Sequence, residues 1–307
     1  MSILIDEDTT FIVQGITGRE AVNLTRECLE YGKGAKIVGG VTPGRLGRDV
    51  HGVPVFDTVA QAVDHHGAQV EGSVVTVPPA FTKDAVFEAL ENGVRLVVIV
   101  TERIPRGDVA QMVELASERG ARIIGPNCLG IIVPDVIKMG GIGGPARDAA
   151  KSYTPGPVGV MSRSGGMTTE ISSTLSAAGL GQSTAVSIGG DAIIGSTYAE
   201  LMPLFESDSA TDAIVIYSEP GGRMEAELAS YMVENESRMP IVAFMAGRFM
   251  DAMPGMSFGH AGTIVEGKED TAAEKIARLA EAGIVVAQEI SEIPSLVQER
   301  LASGTAV

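Results

Sequence analysis

Apolar, β-branched residues fall in short runs separated by amphipathic stretches, and the two kinds of segment alternate along most of the chain. Runs at residues 10–14, 35–41, 72–77, 96–101 and 122–124 have the length and Val/Ile content of buried strands. Between them, 19–31, 58–65, 82–92 and 108–119 carry apolar residues at helical spacing. Such alternation builds βαβ units and a parallel sheet, so residues 1–130 predict a Rossmann-like domain. Pro and Gly then crowd residues 131–156, which read as a linker. Strands at 158–161, 183–188, 213–217, 241–244 and 284–286 follow, with helices at 166–178, 196–205, 224–234 and 271–282 between them. Residues 157–307 therefore predict a second α/β domain, of the flavodoxin-like doubly wound kind.

Composition narrows the function classes. A formal charge of −16 argues against non-specific nucleic-acid binding, which needs clustered Lys and Arg. The 38 glycines follow no collagen or low-complexity period, and point to tight turns and close backbone approaches of the kind that hold phosphates. Two cysteines, Cys28 and Cys128, are too few for a disulfide framework and fit a reducing compartment. With no signal-peptide pattern at the start and no apolar run near the roughly 18 residues that span a bilayer, a cytoplasmic enzyme is expected.

Candidate chemistry gathers at predicted strand ends. Gly15-Ile16-Thr17-Gly18-Arg19-Glu20-Ala21 joins a strand to a helix, where glycines let backbone N–H groups approach a pyrophosphate. The next strand runs into Gly39-Gly40-Val41-Thr42-Pro43-Gly44-Arg45 without the acid that holds the ribose of NAD, which suits NADP or coenzyme A better. Val77-Pro78-Pro79, Val100-Thr101-Glu102 and Gly125-Pro126-Asn127-Cys128 also follow strands and should meet at the same rim, Asn127 offering both donors and an acceptor. Cys128 reads as a small packed residue, since no base adjoins it. No residue is assigned to a metal.

In the second half, Ser162-Arg163-Ser164-Gly165-Gly166-Met167-Thr168-Thr169-Glu170 opens a helix with hydroxyls and glycines, an arrangement suited to an anion. Ser187-Ile188-Gly189-Gly190-Asp191 and Ser218-Glu219-Pro220-Gly221-Gly222 are two further strand-end turns. Glu219 is placed to accept from an imidazole Nδ1–H and fix its tautomer. Of the four histidines, His260 stands apart because Gly259, Ala261 and Gly262 strip bulk from around it. The chain contains no G-x-x-x-x-G-K-[ST] phosphate loop, so a phosphorylated His260 would need its nucleotide from elsewhere.

These motifs, in this order, resemble the α subunit of succinyl-CoA synthetase and the related nucleotide-forming acid–CoA ligases. The resemblance runs from Met1-Ser2-Ile3-Leu4-Ile5-Asp6 through Gln14–Gly18, Val38–Gly44, Gly125–Cys128, Ser162–Gly165 and Ile188–Asp191 to Gly259-His260-Ala261-Gly262. It implies that His260 carries phosphate and Glu219 partners it, with the phosphate resting near Ser164, Gly165 and Gly166. It further implies that coenzyme A meets Thr17, Gly18, Arg19, Glu20, Arg45, Val100, Thr101 and Glu102. An ATP-grasp β subunit, in a heterodimer or heterotetramer, would supply the NTP and Mg²⁺ site, and the succinate enzyme would belong to the tricarboxylic acid cycle.

Several positions depart from the succinate pattern. Thr169 stands where succinate users commonly have Tyr, and Gly165-Gly166-Met167 with Phe258 is closer to ATP-citrate lyase. Pro220, Leu129 and the Phe249–Met256 stretch also differ. The acid is therefore open among succinate, malate, citrate and a sulfonated acid. An NADP-dependent oxidoreductase using the Gly15 loop is the alternative from another class, and a non-enzymatic CoA sensor a third.

Overall fold

Burial on both faces explains the uninterrupted apolar runs: in the computed structural model the strands Gly72–Val75 and Leu96–Ile99 are buried along their whole length, as strands covered by helices on each side must be. The structure describes residues 2–256, 259–260, 262–265, 267 and 270–304. Ser257, Phe258 and Ala261 of the histidine motif lie outside the described residues.

The first half runs β1 (Thr10–Gln14), α1 (Arg19–Glu30), β2 (Lys36–Val41), β3 (Asp49–Val50), β4 (Val53–Phe56), α2 (Val59–His66), β5 (Gly72–Val75), α3 (Pro79–Glu91), β6 (Leu96–Ile99), α4 (Arg106–Glu118) and β7 (Arg122–Ile124). Among the described residues its sheet has the order β3-β4-β2-β1-β5-β6-β7, parallel except for the short β3–β4 pair. Without β3 this is the Rossmann order, with the chain reversing direction between β1 and β5. The crevice at that reversal is where such sheets bind ligands.

The second half runs β8 (Gly130–Val133), β9 (Ile137–Met139), α5 (Ala146–Ser152), β10 (Pro155–Ser162), α6 (Gly165–Ala177), β11 (Gln182–Ser187), α7 (Tyr198–Ser207), β12 (Ala213–Ser218), α8 (Met224–Glu234), β13 (Ile241–Met245), α9 (Ala272–Glu281), β14 (Val285–Ala287) and α10 (Ile293–Gly304). Its sheet order is β14-β13-β12-β10-β11-β8-β9. The five strands from β14 to β11 are parallel in the flavodoxin order, and the reversal falls between β10 and β12. In register there, Ser162 lies opposite Tyr217, which sets the starts of the Arg163 and Glu219 loops side by side.

The stretch 131–156, expected as a Gly/Pro-rich linker, folds instead into β8, β9 and α5, and its strands extend the second sheet, β8 antiparallel to β11 and β9 antiparallel to β8. Ile131, Ile132 and Ile137 are fully buried, so this segment carries core rather than spacer sequence. Its glycines serve close approach: a Cβ on Gly140 would lie 2.5 Å from the Leu129 carbonyl oxygen. The segment is also tied to α1. Glu27 Oε2 accepts from the Ala146 N–H at 2.6 Å, Tyr31 Oη accepts from the Asp135 N–H at 3.2 Å, and the Cys28 thiol donates to the Gly140 carbonyl at 3.3 Å. One apolar cluster runs continuously from Phe11 and Val74 in the first sheet to Val186 and Ile216 in the second. Among the described residues no helix is long and apolar enough to cross a membrane.

Candidate active site

The first crevice is lined by Gln14, Gly15, Thr17, Gly18, Thr42 and Thr76 with neighbouring apolar residues, and holds about 670 Å³. Gly15 adopts φ 84°, and a Cβ there would sit 2.9 Å from Thr76 Oγ1, so the turn needs glycine for both conformation and space. Gly18 precedes the first turn of α1, leaving that helix start without a side-chain cap. Its unpartnered N–H groups and the helix dipole favour an anion. Thr17 and Gly18 thus face the cavity. Arg19 and Glu20 pair with each other at 3.1 Å in solvent, with side chains 92% and 83% exposed. Arg45 is exposed in the next loop, its backbone N–H donating to Asp57 Oδ1 at 3.0 Å. Val100 and Thr101 are half-buried, with the Thr101 hydroxyl donating to the Val77 carbonyl at 2.7 Å.

Glu102 and Asn127 border a separate, smaller cavity between the two halves of the chain. Asn127 follows the cis Gly125–Pro126 bond and adopts φ 54°. Its side-chain N–H donates to Asp191 Oδ1 at 3.0 Å, and its carbonyl accepts from the Gly190 N–H at 3.2 Å. Asn127 therefore joins the first rim to the Gly189–Asp191 turn of the second. Cys128 is buried with its thiol donating to the Ile99 carbonyl at 3.3 Å, and burial pushes it up to about 12, so it is a packing residue.

The second crevice holds the histidine. His260 Nδ1 lies 2.7 Å from Glu219 Oε2, with side chains 28% and 11% exposed. In the tautomer whose Nδ1–H donates to Glu219 Oε2, Nε2 is left as a free lone pair. Gly190 forms the wall behind the ring: a Cβ there would be 2.6 Å from Cγ and Cδ2 of His260. The His260 carbonyl accepts from the Thr263 hydroxyl at 2.7 Å and the Thr263 N–H at 3.1 Å, which closes the loop beneath the ring.

Two buried cations underpin this loop, and sequence reasoning assigned a role to neither. Arg163 is 1% exposed; one terminal nitrogen donates to the Asp191 carbonyl at 3.2 Å and the Gly190 carbonyl at 3.4 Å. A Cβ on Gly262 would collide with that same nitrogen, so the histidine loop rests on the guanidinium. Nε and the other terminal nitrogen have no hydrogen-bond partner among the described residues. Lys275, from α9, donates to the Glu219 carbonyl at 3.1 Å, the Gly221 carbonyl at 2.5 Å and Glu225 Oε2 at 2.6 Å. All three ammonium protons are thereby used to hold the turn that carries Glu219. Tyr217 lines the same region, and burial with the neighbouring Glu219 charge raises its phenol well above the usual range.

The helix start expected to hold phosphate adjoins Arg163. Ser164 caps α6, its hydroxyl accepting from the Met167 N–H at 3.4 Å. Gly165 packs against Leu129, where a Cβ would collide, whereas Gly166 faces open space. The Thr169 hydroxyl is engaged with Tyr153 Oη at 2.9 Å rather than with the histidine loop. His260, Glu219, Gly190 and Arg163 thus form one cluster, with Ser164 and Gly166 on the adjoining helix start.

A Rossmann-like domain with a glycine-lined crevice, joined to a flavodoxin-like domain with a carboxylate-backed histidine at its chain reversal, defines a two-domain α/β protein built for group transfer. Residues 6–103 match the CoA binding domain family, and residues 155–298 match the succinyl-CoA ligase like flavodoxin domain. The chain belongs to the family of succinate–CoA ligase α subunits. It is 43% identical to the succinate–CoA ligase [ADP-forming] subunit alpha 1 of Archaeoglobus fulgidus over 98% of this chain and 99% of that one. It is 38% identical to an ADP-forming sulfoacetate–CoA ligase subunit of an Acholeplasma species, over 97% of this chain and 98% of that one. Among solved structures it superposes on ATP citrate lyase from Methanothrix soehngenii, in complex with citrate and coenzyme A, with a TM-score of 0.90 and 24% identity. That match covers 98% of this chain and spans about half (51%) of the lyase chain, and carries the fold alone. The ligase family displaces the NADP-dependent oxidoreductase as a reading of the Gly15 loop.

Proposed function

We propose that the chain is the α subunit of an ADP-forming acid–CoA ligase whose phosphoryl carrier is His260. The observation that carries this reading is the 2.7 Å contact between His260 Nδ1 and Glu219, which leaves Nε2 as the nucleophile on a partly exposed ring. Nε2 takes the terminal phosphoryl group of an NTP, releasing NDP, and Glu219 balances the charge that develops on the imidazole. The phosphoryl group then passes to a carboxylate oxygen of the acid, restoring the neutral ring. The thiolate of coenzyme A attacks the acyl carbon of that mixed anhydride, forming the thioester and expelling phosphate. The capped start of α6 and the buried Arg163 supply positive potential beside the histidine loop without placing a side-chain cation on the phosphate.

Coenzyme A is assigned to the crevice at Thr17 and Gly18, with the exposed Arg19 and Arg45 meeting its outer phosphates, Glu20 at the same rim paired with Arg19, and Val100, Thr101 and Glu102 leading its thiol toward Asn127. The nucleotide and Mg²⁺ are assigned to an ATP-grasp β subunit, a division supported by the α-subunit designation of the relatives and by the lack of a phosphate-loop motif in this sequence. The two buried free thiols fit a cytoplasmic setting. We further place the domain junction before β8, since that strand pairs with the second sheet.

The test is CoA-dependent NDP release by this chain co-expressed with its β partner, across succinate, malate, citrate, sulfoacetate and monocarboxylic acids. Acyl-CoA formation with at least one acid, absent when either subunit is omitted, is expected. Tight NADPH binding with no acyl-CoA formed from any acid would contradict the reading.

A further inference from the structure

Arg163 carries a full charge into the interior at 1% exposure, and the fold gains little in return. Glu219 and Glu225 take their ionic contacts from His260 and Lys275, not from Arg163. Nε and one terminal nitrogen are buried without a hydrogen-bond partner among the described residues, and the other terminal nitrogen bonds only to carbonyl groups. Buried donors left unused are costly, so an arginine kept on these terms marks a place where function outweighs stability.

The contacts it does make meet at one junction. From the first half of the chain, Asn127 holds the Gly189–Asp191 turn at the Gly190 N–H and at Asp191 Oδ1. From the second half, one guanidinium nitrogen holds the same turn at the Gly190 and Asp191 carbonyls, 3.4 and 3.2 Å away. The Gly190 carbonyl also accepts from the Gly262 N–H at 3.3 Å. Gly262 in turn packs so closely on that nitrogen that a Cβ would collide with it. A single guanidinium nitrogen therefore touches both the turn behind the imidazole and the loop that carries it. A lysine could supply the charge there, but not the rigid planar fork that fixes where the nitrogen lies.

We propose that Arg163 is a positioning residue for phosphoryl transfer, which registers the His260 loop against the Gly190 turn by contact and does not itself bind the phosphate. This rests on His260 being the phosphoryl carrier.

The experiment uses the co-expressed αβ complex with Arg163→Met, Arg163→Lys, Gly262→Ala and the double change Arg163→Met with Gly262→Ala. His260 is labelled in both directions: from γ-labelled ATP, and from labelled inorganic phosphate with the acyl-CoA that the complex forms. Arg163→Met is expected to lower the maximal labelling rate about 10²-fold in both directions, with KM for ATP and for phosphate unchanged. Arg163→Lys should remain at least about tenfold slow, and Gly262→Ala should slow labelling in the same way from the loop side. In the Arg163→Met background Gly262→Ala should add little, because the atom it strikes is gone. An increase confined to KM for phosphate would overturn the proposal, since Arg163 would then be a phosphate ligand. Full activity in Arg163→Lys would overturn it by showing that charge alone suffices, and additive losses in the double variant would show that the two residues do not act through one contact. A loss of urea stability in Arg163→Met with wild-type labelling rates would reduce Arg163 to a packing residue. If Arg163→Met does not fold, Arg163→Lys and Gly262→Ala decide by the same criteria. Absence of label on wild-type His260 would sink the carrier reading itself, which separates the two failures.

Discussion

Gly190 and Glu219 together set the orientation of His260, and the imidazole packs so closely on Gly190 that a Cβ there would collide with the ring. Gly190→Ala is expected to push the ring off Glu219 and slow phosphohistidine formation about 10²-fold, as a displacement near 1 Å does at other active sites. Circular dichroism should show the fold retained, and rapid-quench labelling reads the rate. Glu219 and His260 were legible as a pair, since the acid stands in a strand-end Gly-Gly turn of the second half and the histidine among small residues. Gly190 and Arg163 were not. Strand-end Gly-Gly turns occur throughout this chain, and nothing in Ser162-Arg163-Ser164 says that the arginine turns inward and is buried while its neighbour caps a helix. The thiols give a second prediction at this scale. Burial pushes Cys28 up to about 11 and Cys128 to about 12, so both are protonated at pH 8. Neither should react with a thiol reagent in the native protein, and both should react on unfolding in urea.

At the level of elements, α9 secures the catalytic turn through one side chain. Lys275 and Glu225 form a buried pair, with side chains 4% and 0% exposed. Lys275→Met leaves Glu225 charged and unpaired, which should cost about 3–5 kcal/mol in urea unfolding. The double change Lys275→Met with Glu225→Leu should recover most of that stability but not the labelling rate, because the Glu219 and Gly221 carbonyls still lose their donor. The long strands and amphipathic helices were readable from their periodicity. The elements that escaped were those with weak local signals: the short β3 and β4, where Pro54 interrupts an edge pair, and β8 and β9, whose apolar residues are embedded among Pro and Gly. Gly/Pro density predicts a linker here, whereas these glycines permit close backbone packing at Leu129 and Met139.

Across the whole molecule, the Asn127–Asp191 hydrogen bond and the Gly190 N–H to Asn127 carbonyl bond bring the CoA crevice and the histidine loop to one cavity. Asn127→Ala should cost no more than about 1–2 kcal/mol of stability by urea unfolding. It should lower acyl-CoA synthesis far more than His260 labelling, since labelling uses one half of the chain and thioester formation needs both. The two-domain plan was evident in the sequence, but this bridge was not, because it joins residues 64 positions apart through a left-handed asparagine. The central claim is that His260 carries the phosphoryl group. Its most direct measurement is transfer of label from γ-labelled ATP to the α chain in the presence of its β partner, compared between wild type and His260→Asn. Acid-labile, base-stable label on wild type that disappears in His260→Asn is the expected result; undiminished label on His260→Asn would contradict the account.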